Sequence, residues 1–160
     1  MKKFLILISV MLILAGCGKK AEEAAKETAV KKVTVPELNW TYSIEEALKT
    51  AGEKNLTLLV NFTGSDWCGW CFRLRDEVFI HPEFIEYAKN SLVLVELDYP
   101  QKKEQTDEMK AYNRKILEKY GVRGFPTILL INKEGIEIGR TGYRQGGAAA
   151  YVEHIKSFIK

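Results

Sequence analysis

At 160 residues the chain is long enough for one domain with a short extension and too short for two sizeable domains. Its 46% hydrophobic content fits a globular chain, and its net charge of +3 is spread without a basic stripe, which excludes a nucleic-acid footprint. Its three cysteines cannot all pair within one chain, so at least one has a separate role.

The N-terminus supplies that role. Met1, Lys2 and Lys3 form a positive start, followed by residues 4–14 (FLILISVMLIL), an uncharged apolar run. Eleven residues suit the apolar region of a secretory signal and fall short of a permanent span. Leu14-Ala15-Gly16-Cys17 follows at once. This segment resembles the bacterial lipobox, which implies a signal peptide over 1–16 and a lipid on Cys17. Two or three acyl chains anchor stably where one does not. Residues 17–37 are rich in Lys, Glu and Ala and carry no aromatic side chain, so they read as a tether. The folded domain is expected over 38–160, on the outer face of a membrane.

Ser43-Ile44-Glu45-Glu46 has capping-box spacing and predicts a helix to about residue 53. Residues 56–62 (LTLLVNF) and 91–98 (SLVLVELD) read as strands buried on both faces. Between them lie a helix over 71–78 and a second that starts at Pro82, a residue suited to the first helical position. A charged helix is expected over 103–120. Residues 127–132 and 136–140 are joined by Lys133-Glu134-Gly135, a connection so short that it makes an antiparallel hairpin. A helix over 148–159 closes the chain. The order is β-α-β-α-β-β-α after one leading helix, an α/β class whose crossovers put helices on both faces of a mixed sheet.

Cys68 and Cys71 form the C-x-x-C pair of Trp67-Cys68-Gly69-Trp70-Cys71. An unperturbed thiol is mostly protonated at neutral pH, whereas a helix N-terminus favours the thiolate. Cys68, accessible at such a terminus, would attack a disulfide, and Cys71, one turn further in, would resolve the mixed species. The other readings of the pair are a structural staple or half of a zinc site. Zinc usually needs four ligands, and only His81 and His154 could join, so no metal is expected. His81 reads as a helix cap and His154 as a residue of the last helix.

Trp-Cys-x-x-Cys after a buried strand, with Gly121-Val122-Arg123-Gly124-Phe125-Pro126-Thr127 before another, resembles the thioredoxin superfamily. In detail it resembles the bacterial group that includes the periplasmic C-terminal domain of membrane thiol reductases. The resemblance runs from about residue 56 to the C-terminus. It implies the thioredoxin fold and a redox-active Cys68–Cys71 disulfide in place of any cofactor. It also implies a cis Pro126 facing that disulfide and a Phe125 backbone that pairs with an extended substrate. Trp67, Gly69 and Trp70 would complete the substrate rim. Many members keep a buried aspartate as proton relay before the active site; here Asn61 stands nearest and cannot take a proton, so a water, Asp66 or Glu96 would have to serve, or resolution is slower. The central Gly-Trp pair lacks the histidine of oxidising relatives.

These features imply an extracytoplasmic thiol–disulfide oxidoreductase that reduces protein disulfides and is recharged by a membrane thiol donor. A disulfide isomerase or oxidant and a non-catalytic binding lipoprotein are the alternatives.

Overall fold

The computed structural model describes residues 37–159, so the signal segment 1–16, Cys17 and the tether up to residue 36 lie outside the described residues. Strand β1 is only Trp40–Thr41. Helix α1, Ile44–Lys54, starts where the Ser43 hydroxyl accepts the Glu46 N–H at 3.3 Å and stops at Asn55, which adopts φ 56°. Strand β2, Thr57–Thr63, is buried along its whole length. Helix α2, Gly69–Leu74, runs into a π-helical turn over Arg75–Phe79. Helix α3, Pro82–Ser91, opens on its proline and passes directly into β3, Leu92–Asp98. Helix α4 is Asp107–Lys119, the hairpin strands are β4 (Thr127–Ile131) and β5 (Glu137–Thr141), and α5 is Gly147–Lys156. Gly146 enters α5 at φ 116°, a conformation that a side chain would resist.

The thioredoxin-like α/β order expected from the sequence is present, with four local corrections. β1 is additional, because two residues carry no periodicity to read. α2 begins two residues earlier than 71 and ends in the π turn. α4 begins at Asp107 instead of 103, because the Thr106 hydroxyl accepts the Met109 N–H at 3.2 Å and sets the start there. The last helix stops at Lys156, short of 159.

The five strands lie in the order β1-β3-β2-β4-β5. β1 and β2 run parallel to β3, and β4 runs antiparallel to both β2 and β5. Side chains alternate between the two faces of a strand, and each face has its own core. On one face Leu58, Val60, Phe62, Val95 and Leu97 pack with Ile44, Ala51 and Ile116 from α1 and α4. On the other, Leu59, Leu94, Ile128 and Leu130 pack with Leu74, Phe84, Tyr151 and Ile155 from α2, α3 and α5. Burying each of the Val, Leu, Ile and Phe side chains stabilises the fold by roughly 1.5–3 kcal/mol. The same alternation decides where the polar residues go. Asn61 follows Leu59, and Glu96 follows Leu94, so both belong to the face that α2 covers. In the β2–β3 pairing they stand opposite each other.

Candidate active site

Cys68 is the N-cap of α2, with its backbone still extended and its Sγ accepting the Cys71 N–H at 3.2 Å. That donor and the helix dipole both favour negative charge on Sγ when the pair is reduced. The two sulfur atoms are joined in a disulfide across a Cα–Cα distance of 5.2 Å. Cys68 is 4% exposed and Cys71 6%, so the open first sulfur expected from the sequence is corrected for this oxidised state.

The loop that leads to Cys68 is fastened to the segment after β3. Ser65 gives its N–H to Asp98 Oδ1 at 2.8 Å and its hydroxyl to the other Asp98 oxygen. The Asp66 carboxylate accepts the backbone N–H groups of Gln101 (2.9 Å), Lys102 (2.7 Å) and Lys103 (2.9 Å). These amides, led by that of Gln101, hold its pKa below the ordinary carboxylate range. Asp66 is therefore a loop clamp, with its acceptors engaged away from the sulfur atoms. Trp67 donates its indole N–H to the Tyr99 carbonyl at 2.8 Å. Its ring lies where any Cβ on Gly64 would stand, 2.5 Å from Trp67 Cε2.

Trp67 is 39% exposed and meets Phe125 edge-on at a centroid distance of 5.6 Å. Tyr99 meets Phe125 from another side at 5.2 Å and lies parallel to Phe62 at 6.3 Å. The Phe125–Pro126 peptide is cis. Trp70 is 54% exposed, lies against Tyr143 at 5.2 Å, and has the Arg73 guanidinium over its ring at 5.1 Å. Tyr143 is held by its hydroxyl, which donates to Glu77 at 2.7 Å. The outer side of the site is thus an aromatic wall. Gly69, itself exposed, leaves a gap in it: a Cβ at this position would have no neighbour within 4 Å.

The inner side is different. Cys71 borders a cavity of about 750 Å³ that also takes in Asn61, Thr63, Ser65, Arg75, Glu96 and Lys103, with Trp40, Phe79 and Ile85 as its apolar walls. Asn61 is buried and donates its Nδ2 to Glu96 Oε2 at 3.3 Å. Burial raises the Glu96 pKa above the ordinary range, and the nearby Asp98 charge adds to this; the Asn61 bond, Lys103 and Arg75 act against it.

The structure therefore joins Cys68 to Cys71, sets Trp67 beside Phe125, and brings Asn61, Glu96 and Cys71 to one cavity. His81 occupies the N-cap of α3 without capping through its side chain; its Nε2 lies 3.0 Å from the Asp76 carbonyl instead. His154 lies 3.0 Å from Thr141 Oγ1, and neither histidine borders the cavity. Three contributors escape a reading of the sequence: Tyr99, Tyr143 and the Ser65–Asp98 link. Each lies outside the two motifs, and only the folded register reveals it.

Comparisons with known proteins bear on this geometry. A family model described as a thioredoxin-like domain matches residues 44–155. Disulfide bond reductase DsbH of Chlamydia pneumoniae is 34% identical over 155 residues, covering 96% of this chain and 93% of the relative. A solved structure titled DsbH Oxidoreductase superposes with a TM-score of 0.74 at 33% identity, over 89% of this chain and 94% of the other. A thioredoxin from Thermus thermophilus, at 20% identity, a TM-score of 0.58, and coverage of 78% and 88%, shares the fold.

Proposed function

The chain belongs to the thioredoxin-like family and is a thiol–disulfide oxidoreductase, and from that premise we propose that it reduces disulfides of protein substrates outside the cytoplasm. The observation that carries the direction is the near full-length relationship to a protein named as a disulfide bond reductase. In the working cycle, the Cys68 thiolate attacks a substrate disulfide and one substrate sulfur leaves with its electron pair. Cys71, as thiolate, then attacks Cys68 Sγ and expels the second substrate sulfur. The Cys68–Cys71 disulfide keeps the oxidation, so a thiol donor must return two electrons per turnover. The Cys71 N–H beside Cys68 Sγ supports this order of attack. Trp67, Gly69, Trp70 and the Phe125–Pro126 edge form the surface that receives an extended substrate segment. The lipobox-like residues before Cys17 support a signal peptide over 1–16, an acylated Cys17 and a tether to residue 37, with the domain over 38–160. A thiol carrier in the same membrane is the matching electron donor.

Turnover of insulin with dithiothreitol tests the reading. Wild type is expected to accelerate it and Cys68→Ser to do nothing; Cys71→Ser is expected to accumulate covalent mixed disulfides. Equal rates for wild type and Cys68→Ser would refute exchange chemistry. The reduction potential tests direction: a value near ~−270 mV fits a reductase, and one near ~−120 mV would make the protein an oxidant. Cys17→Ser is expected to move the protein from the membrane fraction to the soluble one.

A further inference from the structure

With Cys71 as the resolving residue, one chemical requirement has no side chain assigned to it. Cys71 must lose a proton before it attacks Cys68, and it is only 6% exposed. Burial holds a thiol proton more tightly than water does, so a base within the same enclosure has to take it. Six charged groups face this space or act on it. Asp66 is engaged by three backbone amides. Asp98 accepts both the N–H and the hydroxyl of Ser65. Arg75 is paired with Asp76 at 2.7 Å, and Lys103 donates to Ser65 Oγ at 2.9 Å. Glu37 borders the cavity from the exposed start of the domain. Glu96 remains, in from the surface and on the same sheet face as α2.

We propose that Glu96 takes the Cys71 thiol proton during resolution, and that Asn61 is the residue that positions its carboxyl. A second observation points the same way. Among the described residues, Asn61 Oδ1 is the one buried side-chain polar atom without a hydrogen-bond partner. Leaving such an acceptor unmade is costly. An amide turned about its last bond would present Oδ1 to Glu96, and a protonated Glu96 would supply the missing donor. A neutral Glu96 is the form produced when the thiol proton arrives, and in that form it would satisfy Asn61 Oδ1. Burial of the carboxyl, which favours its neutral form, is consistent with this.

The step balances. The proton passes from Cys71 Sγ to a Glu96 carboxylate oxygen, directly or through water in the cavity. The Cys71 thiolate forms the bond to Cys68 Sγ, the bond from Cys68 to the substrate sulfur breaks, and that sulfur leaves with the electron pair. On reduction of the disulfide the proton returns to Cys71. An acid on β3 opposite an amide on β2 thus does the work that a carboxyl on β2 would do at the Asn61 position.

The inference rests on the roles given to the two cysteines, and one experiment separates the two. The full-length chain, reduced, is mixed with 5,5′-dithiobis(2-nitrobenzoate). Attack by Cys68 releases one chromophore in a first phase, and resolution by Cys71 releases the second. Glu96→Gln is expected to leave the first phase unchanged and to slow the second by ~10²–10⁴-fold at pH 7, the usual yield of a positioned base. Its second phase should then climb with pH until Cys71 ionises unaided, while wild type shows a flatter profile. Asn61→Asp in the Glu96→Gln background should recover the second phase, because the cavity regains a carboxyl. A second phase in Glu96→Gln with wild-type rate and pH profile would overturn the proposal. So would the absence of a protonated-carboxyl stretch from the disulfide-minus-dithiol infrared spectrum of wild type at neutral pH, a measurement that needs no variant. A second phase that persists in Cys71→Ser would instead refute the cysteine roles, and the inference with them.

Discussion

The two sides of the disulfide differ in their polar content. The outer side is a wall of partly exposed rings, Trp67 and Trp70, each braced by another ring, Phe125 or Tyr143. The inner side is a cavity in which an amide, a carboxyl, a guanidinium and an ammonium group share space with Cys71. The wall offers apolar area and few directional demands, which suits partners of varied sequence. The cavity has apolar walls too, Trp40, Phe79 and Ile85, but adds polar and charged groups, of which Asn61 and Glu96 are set opposite each other by strand register. Under the proposed function, one sulfur pair would meet its protein substrate on the ring side and exchange its proton on the cavity side.

Three substitutions would break or sharpen this division. Phe62 belongs to neither side directly, yet it supports the wall through Tyr99 and Phe125. It is 0% exposed, and Phe62→Ala is expected to cost about 3–5 kcal/mol in urea or thermal unfolding. A loss under ~1 kcal/mol would mean that the wall does not depend on the core beneath it. Trp70→Ala is expected to shift stability by less than ~0.5 kcal/mol, because the ring is half exposed. It should raise KM for a protein disulfide by about tenfold, the scale of one interface anchor. A small disulfide should be reduced at an unchanged rate; equal losses on both substrates would erase the distinction between wall and cavity.

The smallest effect is expected at Asp66, which secures the loop between the two sides. Its folded pKa lies below the unfolded value, so its ionised form stabilises the native state at pH values above that unfolded value. The contribution is lost as pH falls through the folded value. Asp66→Asn should therefore be less stable than wild type at neutral pH, and the gap should close on acidification. A pH-independent difference in unfolding curves would show that the clamp acts without its charge.

Much of this was legible in the chain, for local reasons. Ser43 and Pro82 mark helix starts because capping and a fixed φ are properties of single residues. The runs at 56–62 and 91–98 show strands because burial on both faces leaves no polar period. The C-x-x-C pair carries its own geometry. The start of α4 was less clear, because the sequence from 103 to 120 is helix-forming throughout and only the Thr106 hydroxyl chooses the first turn. Asn61 and Glu96 could be named as candidates, but their opposition across β2 and β3 depends on register. The Asp66 clamp was hidden for a similar reason: its three partners lie more than thirty positions away.

Gly64 limits what can be substituted at this site. The Trp67 ring fills the space where any larger residue at position 64 would grow. A methyl group there would push the indole off the Tyr99 carbonyl and away from Phe125. The coupling runs one way: any residue larger than glycine at 64 requires the indole to move, whereas a smaller side chain at 67 leaves Gly64 undisturbed. An alanine at 64 is therefore accommodated only where the side chain at 67 is also made smaller.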